Sequence, residues 1–190
     1  MKRLFLALDI SGEARAKAAD HARELRDEFP RVRVGWEKPE KMHLTLRFLG
    51  ESDDALIGPV IDAARAAASR TDAFEIAIRG CGCFPSARRP QTIWLGVADE
   101  PQLIAGLRNA ADEALAVIGL PRETRRFTPH LTIGRIREPE RAARLANAHL
   151  ARGFESDVFE VSALSLFESR LDHRGSLYST LASFALGVRS

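Results

Sequence analysis

The chain has only two cysteines, and they stand one residue apart, at Cys81 and Cys83. Neighbours this close shut no long loop, which excludes a disulfide framework and makes the cytoplasm the expected location. No apolar run approaches the ~20 residues that a membrane-spanning helix needs. Lys2-Arg3 followed by Leu4-Phe5-Leu6-Ala7-Leu8 has the outline of a secretory leader, yet Asp9 interrupts it before any cleavage pattern, so the segment reads as a buried strand. Charge of one sign is scarce as well: 28 Lys and Arg against 26 Asp and Glu leave a net +2. Such a balance creates no broad field for capturing polyanions, so any contact with nucleic acid has to be local. Arginines do cluster at Arg88-Arg89 and at Arg122, Arg125 and Arg126, where a few cations can hold phosphates, although a solvated surface is the commoner fate of such clusters.

What is present suits a globular protein. With 190 residues, 45% hydrophobic and 28% charged, the chain is long enough to bury a core, and residues 1–190 are expected to form one unit without linkers or low-complexity segments. Strands are expected over 3–9, 43–49, 74–81, 92–97, 130–136, 158–167 and 176–185, the last two around a turn at 172–175. Helices are expected over 13–28 with Ser11 as N-cap, from Asp53 or Asp54 to about 70, over 101–118 closed by Gly119, and over 138–150.

One pattern occurs twice. Met42-His43-Leu44-Thr45-Leu46 and Pro129-His130-Leu131-Thr132-Ile133 share the order His, apolar, Thr, apolar, with one copy in each half, which points to internal duplication. The chain has five histidines and seven threonines, so two chance copies are improbable. On a strand, alternation sends His43 and Thr45 to one face and Leu44 and Leu46 to the other, and His130 and Thr132 behave alike. If the halves pack about a pseudo-two-fold axis, two imidazoles and two hydroxyls face one cleft.

That set suits a phosphodiester. Hydrolysis needs a base for water and an acid for the departing oxygen, and histidine, with an ordinary pKa of ~6.5, supplies both forms near neutrality. Threonine hydroxyls can donate to phosphoryl oxygens. A lone histidine is more often a packed or surface residue, and a strand threonine is often there for its propensity; the repetition weighs against both.

These motifs resemble the 2H phosphoesterases, and within them the RNA 2′,3′-cyclic phosphodiesterases once described as 2′-5′ RNA ligases. The resemblance spans nearly the whole chain: Arg3 to Asp9, then His43-Leu44-Thr45-Leu46-Arg47-Phe48-Leu49-Gly50-Glu51, Trp94-Leu95-Gly96, Arg126-Phe127-Thr128-Pro129-His130-Leu131-Thr132-Ile133, and Leu166-Phe167-Glu168-Ser169. It implies an α+β fold of two lobes, with antiparallel sheets lining a central cleft, helices outside and one motif per lobe. It implies hydrolysis of a 2′,3′-cyclic phosphate at an RNA end, tRNA fragments among the substrates, to a 2′-phosphate. Weak reverse 2′-5′ ligation, and a monomer working without metal or other cofactor, belong to the same expectation. His43 is then the proton donor to the leaving O3′ and His130 the base for water, an asymmetry that two near-identical motifs do not themselves reveal.

Further contacts are expected from Arg47, which shares the parity of His43, from Arg126, and from Arg135, whose parity is wrong unless Gly134 makes a bulge. Phe48 and Phe84 are candidates for stacking a terminal base, with core packing the commoner role. Trp36 and Trp94 read as core. Cys81 and Cys83 would be half of a thiolate metal site, but no second cysteine pair completes it. His21, His149 and His173 lie in no repeated context and read as surface residues. Three rival functions remain: a phosphodiesterase for small nucleotide cyclic phosphates, an RNA-end binding module without turnover, and a metallohydrolase. The last lacks a His-Glu-x-x-His helix pattern.

Overall fold

The structure, a computed structural model, describes residues 2–98, 102–172 and 175–187. Pro101, at the expected start of the third helix, and His173 and Arg174, in the expected hairpin turn, lie outside them. In chain order the elements are β1 (Lys2–Leu8), α1 (Gly12–Glu28), β2 (Val34–Trp36), β3 (Leu44–Ser52), α2 (Asp54–Ser69), β4 (Phe74–Phe84) and β5 (Thr92–Ala98). Then follow α3 (Leu103–Val117), β6 (His130–Ile136), α4 (Ala143–Arg152), β7 (Phe159–Val161), β8 (Ala163–Asp172) and β9 (Gly175–Ala185).

The strands form an antiparallel sheet in the order β7-β4-β5-β6-β3-β1-β8-β9, with β2 added beside β6. The inner six strands read the same in both directions if β1 corresponds to β5, β3 to β6 and β4 to β8. Each half of the chain therefore lends a strand to the other: β4 of the first half lies beside β5, and β8 of the second beside β1. The helices obey the same exchange, since α1 packs on α4 and β6 while α3 packs on α2 and β3. The result is a bilobal α+β fold with pseudo-two-fold symmetry. Only Ser162 separates β7 from β8, although they stand near opposite ends of the strand order. The sheet consequently curls until its ends approach, where Ala73 N–H donates to the Gly187 carbonyl at 2.8 Å and Gly187 N–H to the Thr71 carbonyl at 2.8 Å.

Local chemistry accounts for the elements. Ser11 caps α1 by accepting from Ala14 N–H at 3.1 Å, and the helix buries Ala14, Ala18, Ala22 and Leu25 at helical spacing. Alanines 63, 64, 67 and 68 let α2 pack closely against its neighbours. β3 runs past Gly50 to Ser52 instead of stopping there. Gly50 has φ 75°, and Leu49 is left over between the pairs Phe48↔Phe5 and Gly50↔Leu4, so this glycine makes a bulge and not a strand end. Two expected elements divide: 138–150 becomes a 3₁₀ turn at Pro139–Arg141 followed by α4, and 158–167 becomes β7 and β8. The short β2 carries too little pattern in Val34-Gly35-Trp36 to be seen without its partner β6.

Gly82 shows how closely the layers meet. It pairs with Trp94, and a Cβ at this position would lie 2.1 Å from the indole ring, which itself packs 4.9 Å from the Phe84 ring and 5.8 Å from the His130 ring. Gly82→Ala is expected to cost about 1–3 kcal/mol, the usual penalty of overpacking, and to displace Trp94 against His130. Denaturant unfolding alongside the tryptophan emission of the folded chain checks both, and unchanged values for the two would contradict this account of Gly82.

Candidate active site

β3 and β6 meet at one pair, Leu44↔Leu131, both leucines being buried. An antiparallel register through that pair puts His43 opposite Thr132 and Thr45 opposite His130. The neighbours of the leucines project to the other face, where all four line one cleft of about 1110 Å³.

The two imidazoles are held alike. His43 Nδ1 donates to the Lys41 carbonyl at 2.7 Å, and His130 Nδ1 donates to the Thr128 carbonyl at 2.7 Å, each two residues back along the chain. With Nδ1 committed as donor, a neutral ring presents an Nε2 lone pair. His43 Nε2 lies 3.1 Å from Thr45 Oγ1. Burial pushes both histidines below their ordinary pKa, and the carbonyl bonds recover only part of the shift. Arg135 depresses both further; for His43, Asp9 acts in the opposite sense and Arg15, its ion-pair partner, works against it.

Their surroundings differ. His43 is boxed by Phe5, stacked at 4.9 Å between centroids, by Phe167 at 5.9 Å and by the edge of Tyr178 at 5.2 Å. His130 meets Phe84 edge-on at 5.1 Å and Trp94 at 5.8 Å. Phe48 and Phe84 both line the cleft, 59% and 36% exposed, so their faces are available to a planar group. Trp36 also lines it, whereas Trp94 supports His130 from the pairing β5 strand.

The arginines divide by what already holds them. Arg47 borders the cleft, but its side chain is 10% exposed, 2.8 Å from Asp112 and 3.4 Å from Glu123, and donates to the Pro121 carbonyl at 2.5 Å. It fastens the 119–127 loop to β3. Arg125 is bound to Glu123 and holds that carboxyl down at about 2. Arg126 and Arg135 line the cleft with no ion pair to a described residue. Arg135 reaches it because β6 carries a bulge: Thr132 pairs with Trp94 and Gly134 with Ile93, leaving Ile133 extra and reversing the alternation. Gly134 allows the close packing there, since a Cβ would lie 2.8 Å from Val34 Cγ1.

Lys38, Lys41, Glu37 and Tyr178 also border the cleft without having been singled out in the sequence. Tyr178 is the only tyrosine of the chain, and its place beside His43 depends on the β1–β8–β9 pairing, which no local signal announces. His21 and His149 are not surface residues: they are 6% and 0% exposed, between α1, α4 and the back of β4. Their helices were expected to show those positions to solvent, but α1 and α4, from opposite halves of the chain, pack on each other and cover both.

The comparisons with known proteins agree with this arrangement. The family model for LigT-like phosphoesterases matches twice, over residues 8–94 and 95–178, one match containing each motif. The RNA 2′,3′-cyclic phosphodiesterase of Methanothermobacter thermautotrophicus is 31% identical over 187 residues, 97% of this chain and 98% of that protein. That of Archaeoglobus fulgidus is 31% identical over 185 residues, 96% of this chain and 99% of its own length. The crystal structure of TT0787 from Thermus thermophilus superposes with a TM-score of 0.78 at 25% identity, covering 99% of this chain and all of that one. With both family matches falling on the two halves that supply the cleft, the chain belongs to the LigT-like phosphoesterase family.

Proposed function

We propose that the chain, acting as a single bilobal domain over residues 1–190, hydrolyses 2′,3′-cyclic phosphodiester ends of RNA to 2′-phosphomonoesters. The observation that carries the reading is the paired imidazoles, each fixed through Nδ1 and turning Nε2 toward one cleft. The names borne by the relatives supply the substrate class.

Both histidines are biased toward the neutral form, which readies His130 to take a proton from water. The bound phosphate supplies what the free site lacks: its negative charge raises the pKa of the adjacent imidazole and so charges His43. Water attacks phosphorus as its proton passes to His130, the P–O3′ bond breaks, and O3′ takes the proton of His43. The product carries a 2′-phosphate and a free 3′-hydroxyl; solvent resets both rings. If a 5′-hydroxyl takes the place of water in the same step, its oxygen bonds to phosphorus as its proton passes to His130 and O3′ leaves with the proton of His43; this gives the 2′-5′ linkage of a ligation expected to be weak in water. Thr45 and Thr132 donate to the phosphoryl oxygens as charge shifts onto them.

Phe48 or Phe84 stacks the terminal base, while Arg126 and Arg135 meet flanking phosphates and Arg47 acts through the loop it fastens. Free cations along so long a cleft favour an RNA end over a small nucleotide cyclic phosphate. A cytoplasmic monomer is proposed, in keeping with two free thiols. Among the described residues no helix is long and apolar enough to cross a membrane.

The test is an RNA ending in a 2′,3′-cyclic phosphate, incubated with the purified chain in excess chelator. The expected product is the 2′-phosphate, and His43→Ala or His130→Ala is expected to lower the rate by about 10²–10⁴-fold each. Normal turnover by the double variant would refute the assignment, a reaction confined to small cyclic nucleotides would transfer it to that substrate, and binding without turnover would leave an RNA-end module. The pH profile gives a second check. kcat/KM requires one imidazole neutral and the other charged in the free protein, and both pKa values lie below the ordinary ~6.5. Activity should fall as pH rises through the acid's depressed pKa, so the bell is expected to peak below about pH 6.5; a maximum above neutrality would contradict it.

A further inference from the structure

Behind β4, on the face opposite the cleft, lies a buried cluster that the proposed hydrolysis does not use. His21 Nε2 on α1 is 2.9 Å from His149 Nδ1 on α4. The thiol of Cys81 on β4 completes a trio whose donor atoms all lie within 4.8 Å of one another. The pseudo-two-fold relates this interface to the one among α2, α3 and β8, where Val60, Ala64, Ala67, Leu107, Leu164 and Leu166, each 0% exposed, pack an apolar core. The fold therefore does not demand polar residues at such a place, and burying two imidazoles where alkyl groups would serve carries a desolvation cost.

His149 is held as a ligand would be. Its Nε2–H donates to the Trp94 carbonyl at 3.0 Å, which fixes the tautomer and turns the Nδ1 lone pair toward His21 and Cys81. The two facing nitrogens now share one proton in their hydrogen bond. A cation can replace it if His21 moves its proton to Nδ1. Tetrahedral ligation, with metal–nitrogen distances of ~2.0–2.1 Å and metal–sulfur of ~2.3 Å, separates two nitrogens by roughly 3.3 Å. The present 2.9 Å needs to open by only a few tenths of an ångström, with the thiol turning inward.

We propose that His21, His149 and Cys81 form a structural site for a zinc-class ion, joining α1 and α4 to the back of β4, with the fourth position open to solvent beside the partly exposed Cys81. Two imidazoles and a thiolate are the donor set such an ion prefers. Burial holds His21 at about 4 and lowers His149, so both rings are uncharged near neutrality. The Cys81 thiol is pushed up to about 11, by burial first and then by Cys83. Binding thus releases the thiol proton, the Cys–SH and M²⁺ becoming Cys–S–M⁺ and H⁺ with no change of oxidation state, and affinity rises with pH. Arg152 opposes a cation here, but Glu24 and Glu28 draw its guanidinium to 3.3 and 2.6 Å and offset its charge.

The experiment is cobalt(II) titration of the full chain, chelator-treated and reduced. Expected are tetrahedral visible bands and a sulfur-to-cobalt charge-transfer band, both abolished by zinc(II), together with a zinc-dependent rise in the unfolding midpoint. Cys81→Ser should lose the charge-transfer band and Cys83→Ser should keep it; His21→Gln should weaken the visible bands if His149 variants fail to fold. No charge-transfer band in the unaltered chain, or the same band in Cys81→Ser, would overturn the site. The optical readout is independent of phosphodiester turnover, which should persist in the metal-free protein.

Discussion

The pairing of Leu44 with Leu131 governs everything at the cleft. Through it two half-sheets that share no other strand-to-strand register become continuous, and it fixes the parity of both motifs together. A slip of one residue would turn one of the two motifs over, sending its His and Thr into the core and its leucine out to solvent, so the four side chains would no longer share a face. Burying a leucine side chain is worth roughly 1.5–3 kcal/mol, so such a slip is opposed by several residues acting together. The chemistry is therefore secured by hydrophobic burial on the reverse face, not by bonds among the reacting groups. The strand exchange adds to this: β1 and β5 are each flanked by a strand from the other half of the chain, so neither half can assemble its side of the cleft unaided.

Symmetry places the imidazoles but does not assign their roles. Both donate from Nδ1 to a carbonyl, and both are lowered by burial. The difference enters through what surrounds them: three aromatic rings and Asp9 around His43, two rings near His130, and Arg135 acting on both. Because neither ring is biased toward the cation, a resting charge cannot select the acid of the proposed pair; on that reading the anionic substrate would do so. That makes proton placement part of substrate binding.

The repeated motif was legible because it is local and periodic: alternation alone gave the shared face of each His and Thr, and β6 runs over the expected residues, His130–Ile136. What escaped the sequence depends on distant contacts. Arg135 belongs to the cleft only through the bulge at Ile133, which exists as a mismatch with β5. Gly50 looked like a strand end since a glycine at positive φ serves equally for a turn or a bulge, and only the partner strand decides. His21 and His149 looked like surface residues because their own helices do not reveal that the two helices pack on each other, 128 residues apart in sequence.

Arg47 illustrates a wider division of labour among the cations. Simple alternation from His43 would point it to the cleft, yet Leu46, left over between the pairs Thr45↔Ala7 and Arg47↔Leu6, reverses the parity, and Asp112, Glu123 and the Pro121 carbonyl consume its guanidinium. A buried guanidinium left without such partners would be costly, so this arginine must spend its charge inside the protein, and the loop carrying Arg125 and Arg126 is anchored as a result. Arg126 and Arg135, by contrast, keep their donors for whatever enters the cleft. A chain with a net charge of only +2 can thus concentrate cations in one groove, because carboxylates neutralise the structural arginines, although Glu37, which also lines the cleft, lies within the field of Arg135 and Lys41. On the proposed reading, selectivity for a phosphate end would follow from where these cations stand, with total charge contributing little.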